Sequence, residues 1–263
     1  MKIKRLCLRV LALLCAALLL LPVVGCGDAE WPFGDKPANT APKKRVAFTF
    51  DDGPTPGITN KFLDKIEELD IEVTFFVVGN RVSQYGNELL KRAVSLGCEI
   101  GSHTWSHPEG FDSLSIAATR EQLQRSCTII EEATGQKVRL FRPVGGEISE
   151  SQLEIAVEMG LYTIGWYVDS NDWRANSAAD LNAFINEKVE YIVNTVEDGD
   201  IILMHDLRAS SYEIFARAAE RLIANGYDIV TVSEILKISE STKPEAKLYR
   251  WGDPIDKQSV AEG

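Results

Sequence analysis

Seven short apolar runs alternate with amphipathic segments along this 263-residue chain, and this alternation limits the folds that the chain can adopt. Continuous apolar runs of this length are typical of strands buried in a parallel sheet. The segments between them repeat apolar residues at helical spacing, as in 61–69, 181–196 and 212–224. Strands that alternate with helices predict an α/β fold with a parallel sheet. The predicted strands are 46–50, 73–78, 98–102, 138–141, 162–168, 201–204 and 229–232.

The length of the alternating region limits which α/β architecture the chain can form. About 195 residues are too few for eight complete strand–helix units. We therefore expect a single domain, residues 44–238, built as a distorted (β/α)7-type barrel. Periodicity alone does not separate this barrel from an open doubly wound sheet.

Residues 1–25 have the composition of an export signal. A basic head with Lys2, Lys4, Arg5 and Arg9 precedes an apolar run at 10–24, shorter than the roughly 20 residues that a membrane-spanning helix needs. Cys26 follows Val-Val-Gly, which resembles a bacterial lipoprotein signal. We expect an exported protein that is lipid-anchored to the cell membrane through Cys26 and faces the cell wall or periplasm. An ordinary cleaved signal with an incidental cysteine is the alternative.

The segments that flank the predicted domain are polar and contain several prolines. Residues 26–43 are predicted to be a flexible spacer, and residues 239–263 a polar C-terminal tail. The chain carries 39 acidic against 28 basic residues, and residues 1–25 include four of the basic ones. So acidic a chain repels phosphate backbones, which disfavours a nucleic-acid partner. Cys98 and Cys127 lie in apolar-periodic segments, which favours two core thiols over a disulfide.

All three histidines of the chain follow predicted strands. His103 and His107 come after the third strand and His205 after the sixth, so parallel strands would bring them to one edge of the sheet. Histidines retained for packing or solubility would be scattered. Their common placement favours a functional site.

The spacing of the histidines indicates a metal site. His103 and His107 are four residues apart, so a single turn can direct both imidazoles to one ion. Asp51 and Asp52 end the first strand, and one of them can complete a His₂Asp ligand set while the other acts as a general base. Taken alone, Asp-Asp-Gly-Pro is also an ordinary turn with capping acids. The presence of the histidine pair favours the metal site.

The motifs resemble those of the polysaccharide deacetylase family, also called carbohydrate esterase family 4. Five motifs occur in the family's order over roughly residues 44–238: TFDDGP (49–54), HTWSH (103–107), RPVG (142–145), DSNDW (169–173) and LMH (203–205). The resemblance implies a distorted barrel, a divalent metal (zinc, or cobalt or another ion) and hydrolysis of acetyl groups on amino-sugar polymers.

The resemblance also implies a role for each matching residue. Asp51 resembles the catalytic base, Arg142 the arginine that pairs with it, His205 the catalytic acid and Asp172 the acid that orients His205. Asp52, His103 and His107 resemble the metal ligands. Gly145 is expected to help bind the oxyanion through its N–H, and Trp173 and Leu203 to line the acetyl pocket. Gly145 often corresponds to a tyrosine in the family, and Glu147 to Ser149 replace polar residues common there, so the substrate is less well defined.

The sequence leaves several functions and properties open. The expected activity is metal-dependent N-deacetylation of an amino-sugar polysaccharide, with peptidoglycan N-acetylglucosamine as the favoured target. A metal-dependent amidase acting on another amide, and a non-catalytic glycan-binding relative, are the alternatives. The particular glycan, the metal, the oligomeric state and protein partners do not follow from the sequence.

Overall fold

The computed structural model describes residues 43–250, which form part of one compact unit. The predicted signal peptide, Cys26 and nearly all of the predicted spacer lie outside these residues, as do residues 251–263. Within residues 43–250, no helix is long and apolar enough to cross a bilayer.

Nine strands and seven helices follow one another along the described chain, with short helical turns between some of them. The strands are β1 Lys44–Asp51, β2 Thr74–Val77, β3 Glu99–Ser102, β4 Leu140–Phe141, β5 Tyr162–Ile164, β6 Val168–Asp169, β7 Ile201–His205, β8 Tyr227–Ile229 and β9 Leu248–Tyr249. The helices are α1 Thr59–Leu69, α2 Asn87–Ser95, α3 Ile116–Thr134, α4 Glu150–Glu158, α5 Leu181–Thr195, α6 Ala209–Ala224 and α7 Val232–Leu236.

The strands form one parallel sheet that curls into an incomplete barrel. Its order is β6-β7-β1-β2-β3-β4-β5-β9, and β8 pairs with the first residues of β1. β5 and β6 lie far apart in this order, yet only residues 165–167 separate them in the chain. Four peptide units span at most about 14 Å, so the two sides of the sheet must curve toward each other. The (β/α)7-type barrel predicted from the sequence is thus confirmed.

The two faces of β1 differ because side chains alternate along a strand. Val46, Phe48 and Phe50 face outward into the main apolar core beneath the helices. There the Phe50 ring packs 4.8 Å from Phe62 of α1 and 5.0 Å from Phe215 of α6. The alternate residues, including Asp51, face the interior of the barrel. β1 therefore anchors the core with one face and supplies the polar site with the other.

The sheet differs from the sequence prediction at three places. The predicted strand 162–168 is two strands, because the chain leaves β9 at Gly165 and joins β7 at Tyr167, through hydrogen bonds from Gly165 N to Tyr249 O and from Tyr167 N to Ile201 O. The strand predicted at 229–232 lies earlier, at Tyr227–Ile229. The segment predicted as a tail from residue 239 adds β9 to the sheet beside β5. Cys98 and Cys127 are both free thiols, as expected, although Cys127 is only partly buried.

Candidate metal and catalytic centre

The polar residues that follow the strands meet at the carboxyl edge of the barrel. Asp51 and His205 are directly opposite each other on the neighbouring strands β1 and β7. His103 follows the last residue of β3, whose Ser102 pairs with Phe141 immediately before Arg142. Because all the strands are parallel, their ends gather these residues at one place.

Asp51 is held by a buried arginine. Arg142 Nη1 donates hydrogen bonds to Asp51 Oδ1 at 2.8 Å and to the Thr49 hydroxyl at 2.7 Å. Its other nitrogens donate to the carbonyls of Ile164 and Gly165, so the guanidinium is fixed from several sides. This charge-assisted contact fixes the orientation of the Asp51 carboxylate. Asp51 Oδ2 is left facing His103, with Nε2 at 3.9 Å.

Asp52 reaches the same site through an unusual backbone conformation. Alternation along β1 would turn its side chain to the outer face, but its φ of 76° places it in the left-handed region and reverses the chain before the cis Gly53–Pro54 bond. The two adjacent acids thereby lie in one cleft. Asp52 Oδ1 is buried and has no hydrogen-bond partner among the described residues.

The two histidines are oriented by the backbone around them. His103 Nδ1 donates to the carbonyl of Arg142 at 2.8 Å, which leaves Nε2 free to act as a ligand. His107 has a positive φ of 53°, and its N–H donates to the Thr104 hydroxyl. Gln122 of α3 accepts from the backbone N–H groups of Trp105 and Ser106, which secures the loop between the histidines.

The ligand atoms of Asp52, His103 and His107 fit one divalent ion. They all lie within 4.8 Å of one another, and Asp52 Oδ1 lies 3.4 Å from His103 Nε2 and 3.1 Å from His107 Nε2. Two donors in tetrahedral contact with zinc are separated by about 3.4 Å. The unpartnered Asp52 oxygen between two imidazole nitrogens is what a cation would satisfy.

The charge states of Asp52 and His103 suit a metal, whereas contact with Asp52 raises the pKa of His107, whose proton a bound metal would displace. Burial lowers the pKa of His103, so its imidazole is neutral, the form that binds metal. Burial would raise the pKa of Asp52, but the close imidazoles of His107 and His103 keep it well below its usual range. Asp52 is therefore ionised at neutral pH.

His205 lies across the cleft and forms a dyad with Asp172. His205 Nδ1 donates to Asp172 Oδ1 at 2.8 Å, and the backbone N–H of His205 donates to Asp172 Oδ2 at 3.1 Å. Burial alone would lower the pKa of His205, but Asp172, with further help from Asp51 and Asp52, raises it to about 9. The imidazole is therefore protonated at neutral pH and can donate a proton from Nε2.

The three predicted substrate-binding residues occupy different parts of this edge. Leu203 lies on β7 two residues before His205, on the same face, and is buried. Trp173 follows Asp172 directly and is 47% exposed. Gly145 has a φ of 67°, and a Cβ there would meet no atom within 4 Å, so open space adjoins it. The Leu203 and Trp173 positions are compatible with a small apolar pocket near His205.

Sequence reasoning missed several residues that hold the centre together. Asp206 is fully buried, and the Thr59 hydroxyl donates to its Oδ2. Burial raises the pKa of Asp206 to about 7. Its carboxylate occupies the space beside Gly53, where any side chain would collide with it. In the sequence, only the position of Asp206 next to His205 could have indicated that it supports the site. Gln122 lies in a distant helix, and no sequence signal linked it to the site.

Known proteins resemble this chain in sequence. A family model described as Polysaccharide deacetylase matches residues 38–164. The chain is 34% identical over 200 residues to a peptidoglycan-N-acetylglucosamine deacetylase of Bacillus cereus, covering 74% of this chain and 89% of that protein. It is also 34% identical to the peptidoglycan-N-acetylmuramic acid deacetylase PdaC of Bacillus subtilis, covering 75% of this chain and 40% of the relative. The chain spans about two fifths of the length of several such relatives.

A solved structure shows the same fold. The family 4 acetyl xylan esterase of Clostridium thermocellum, in complex with a cobalt ion, superimposes with a TM-score of 0.71 at 29% identity. The match covers 79% of this chain and 98% of that chain.

Proposed function

Because this chain belongs to the polysaccharide deacetylase family, we propose that it is a metal-dependent hydrolase that removes N-acetyl groups from an amino-sugar polysaccharide and releases acetate. The observation that carries this proposal is the cleft in which Asp52, His103 and His107 converge, with Asp51 and His205 beside them. Such an arrangement combines a ligand set with a separate base and acid, as hydrolysis of an amide requires.

Each side chain has a defined task in this proposal. Asp51, oriented by Arg142, takes a proton from the attacking water. His205, protonated and oriented by Asp172, donates a proton to the leaving amine nitrogen. The Gly145 N–H is assigned to the oxyanion, and Leu203 and Trp173 to the acetyl methyl. A bound divalent ion supplies Lewis acidity, which polarises the amide carbonyl and lowers the pKa of water.

We assign zinc as the metal, with cobalt as a functional substitute. Two imidazoles and one carboxylate are a donor set that zinc commonly uses at catalytic sites. The cobalt ion named in the esterase structure supports a relaxed choice among transition metals at a similar site.

Peptidoglycan is the proposed substrate, and its N-acetylglucosamine the proposed target sugar. The names of the Bacillus relatives support a peptidoglycan glycan, but they include both N-acetylglucosamine and N-acetylmuramic acid deacetylases.

The proposed location follows from the first 26 residues of the sequence. We propose that residues 1–25 are removed and that Cys26 carries a lipid anchor, with the enzyme held at the outer side of the cell membrane. Labelled fatty acid should be incorporated into the wild type but not into a Cys26→Ala variant. Equal labelling of the two proteins would exclude an anchor at Cys26.

The activity is tested by measuring acetate release from peptidoglycan glycan strands, chitin oligomers and acetylated xylan. We expect chelated protein to be inactive and zinc or cobalt to restore release, fastest on peptidoglycan. Ammonia release from small cyclic amides with no acetate release would favour the amidase alternative. Glycan binding without acetate release after metal loading would favour the non-catalytic alternative.

A further inference from the structure

A pocket lies beside the catalytic cleft, on the side of β5. It has a volume of about 260 Å³, somewhat below the range of about 300–1,000 Å³ typical of sites for drug-sized ligands. Its size therefore suits a single sugar unit. The pocket is lined by Gly145, Gly146, Glu147, Gly165, Trp166, Leu248 and Arg250.

Arg142 links the wall of this pocket to Asp51 through hydrogen bonds. The carbonyl of Gly165, in its wall, accepts a hydrogen bond from Arg142 Nη2 at 2.8 Å. The same guanidinium donates to Asp51. Gly145, whose N–H is assigned to the oxyanion, is also in the wall. A glycan that presents its acetamide to Asp51 can therefore place a neighbouring unit here.

Glycines and a tryptophan shape the pocket. A Cβ on Gly146 would lie 2.5 Å from the Trp166 ring, so the ring packs directly against bare backbone. A Cβ on Gly165 would lie 3.1 Å from both Arg250 Cγ and Leu248 Cγ, so the β9 segment covers the pocket closely. Trp166 remains partly exposed, and an aromatic ring of this kind offers an apolar surface to a sugar.

Two charged side chains stand at this pocket. Arg250 and Glu147 are both exposed, and neither has an ion-pair partner within residues 43–250. A guanidinium presents paired N–H donors that match a carboxylate, while a carboxylate accepts from sugar hydroxyls. The chain as a whole has a net charge of −11, which repels anionic polymers. A local cation is therefore needed if the substrate carries carboxylates.

We propose that this pocket is a subsite for a carboxylate-bearing amino-sugar unit next to the sugar that is deacetylated, and that Arg250 binds its carboxylate. This inference rests on the proposed deacetylase function and narrows its substrate class. Glycans with free lactyl carboxylates on alternate sugars, as in peptidoglycan strands whose stem peptides have been removed, are preferred over neutral chitin-like or xylan chains. The preference comes from the C-terminal segment that adds β9, since Arg250 follows that strand directly.

The test uses two oligomers of the peptidoglycan disaccharide repeat, one with free lactyl carboxylates and one with methyl esters in their place. For the wild type we expect a kcat/KM about tenfold higher on the free acid, since hydrogen bonds to charged groups are the stronger ones. In Arg250→Gln this ratio should fall to about one, and Arg250→Lys should retain part of it. Lys243→Gln removes a positive charge from the same segment outside this pocket, and it should leave the ratio unchanged.

Binding separates failure of the subsite from failure of the proposed function. Calorimetry with metal-loaded Asp51→Asn should show about tenfold tighter binding of the free acid, and the difference should vanish when Arg250→Gln is added. Acetate release with equal preference for the two oligomers would overturn the subsite while the deacetylase function stands. Carboxylate-dependent binding with no acetate release by the wild type would retain the subsite and overturn the proposed function.

Discussion

Asp51 and Asp52 are neighbours in the chain but have different surroundings. Asp51 ends β1 on the inner face and is paired with Arg142, whereas Asp52 adopts a positive φ and faces two imidazoles. In the proposed function, this difference separates a proton acceptor from a metal ligand. Replacing the carboxylate by a carboxamide should therefore have a different effect at Asp51 from its effect at Asp52.

Replacement of Asp51 by asparagine should remove catalysis without removing the metal. We expect kcat/KM for acetate release to fall by about 10²–10⁴-fold, the usual contribution of a general base, because the amide does not accept the proton of water. Zinc content measured by atomic emission should stay close to that of the wild type. Asp228→Asn, which alters an exposed partner of Lys43, is the control and should keep full activity. Near-normal turnover by Asp51→Asn would reject the assigned base.

The dyad of His205 and Asp172 predicts how activity depends on pH. The protonated imidazole is the proposed acid, so activity should decline as pH rises through the pKa of His205, which Asp172 raises to about 9. A bound cation adds positive charge and lowers that pKa in the loaded enzyme. Asp172→Asn removes the negative charge that favours the protonated form, so the alkaline limb of the kcat profile should move to lower pH. If the alkaline limb of the kcat profile stayed at the same pH in Asp172→Asn, a group other than His205 would be responsible for it.

At the scale of elements, β9 extends the sheet beyond the domain boundary expected from the sequence. Gly165 N donates to Tyr249 O at 2.7 Å, and the Tyr249 ring packs 5.4 Å from Tyr162 of β5. The hydroxyl of Tyr249 accepts from Glu245 N, which secures the preceding loop. These contacts make the segment after α7 part of the folded domain.

Truncation of Tyr249 measures this contribution. Tyr249→Ala should lower the free energy of unfolding by about 1–2 kcal/mol, the value expected for a partly buried aromatic side chain with one ring partner. Urea unfolding followed by tryptophan fluorescence provides the measurement. Tyr191→Ala on α5 removes a 42% exposed tyrosine and should change stability by less than about 0.5 kcal/mol. Equal effects of the two changes would mean that the Tyr249 side chain contributes no more to stability than an exposed tyrosine.

For the whole molecule, the metal site joins two parts of the barrel edge that are distant in the chain. Asp52 follows β1, while His103 and His107 follow β3, and the site requires both parts to be folded. Metal binding is consequently coupled to folding.

Zinc should therefore raise the stability of the whole domain. At a free concentration of 100 times Kd, the gain in the free energy of unfolding should be about 2.7 kcal/mol, seen as a higher Tm in calorimetry. Asp52→Asn should lose most of this gain because the anionic ligand is absent. His205→Gln, outside the ligand set, should keep it. A gain of equal size in Asp52→Asn and wild type would place zinc elsewhere.

The sequence alone determined the fold class and the edge at which the polar residues gather. Buried parallel strands require continuous apolar runs, and this signal is local in the chain. Strand ends then bring Asp51, His103 and His205 together, whatever the details of the helices. Sequence reasoning was less successful where local pattern and tertiary pairing disagreed. The run 162–168 is largely apolar, but its two halves pair with opposite sides of the barrel.

Only the tertiary structure decided how these residues face one another. Alternation along β1 turns Asp52 away from the cleft. The left-handed backbone at Asp52 brings it back, and the next residue, Gly53, packs against Asp206. The four hydrogen bonds of Arg142 and the pocket beside Arg250 also depend on segments far apart in sequence. Local periodicity reports which face of an element is buried. The orientation of a side chain within a site depends on long-range contacts that no local pattern encodes.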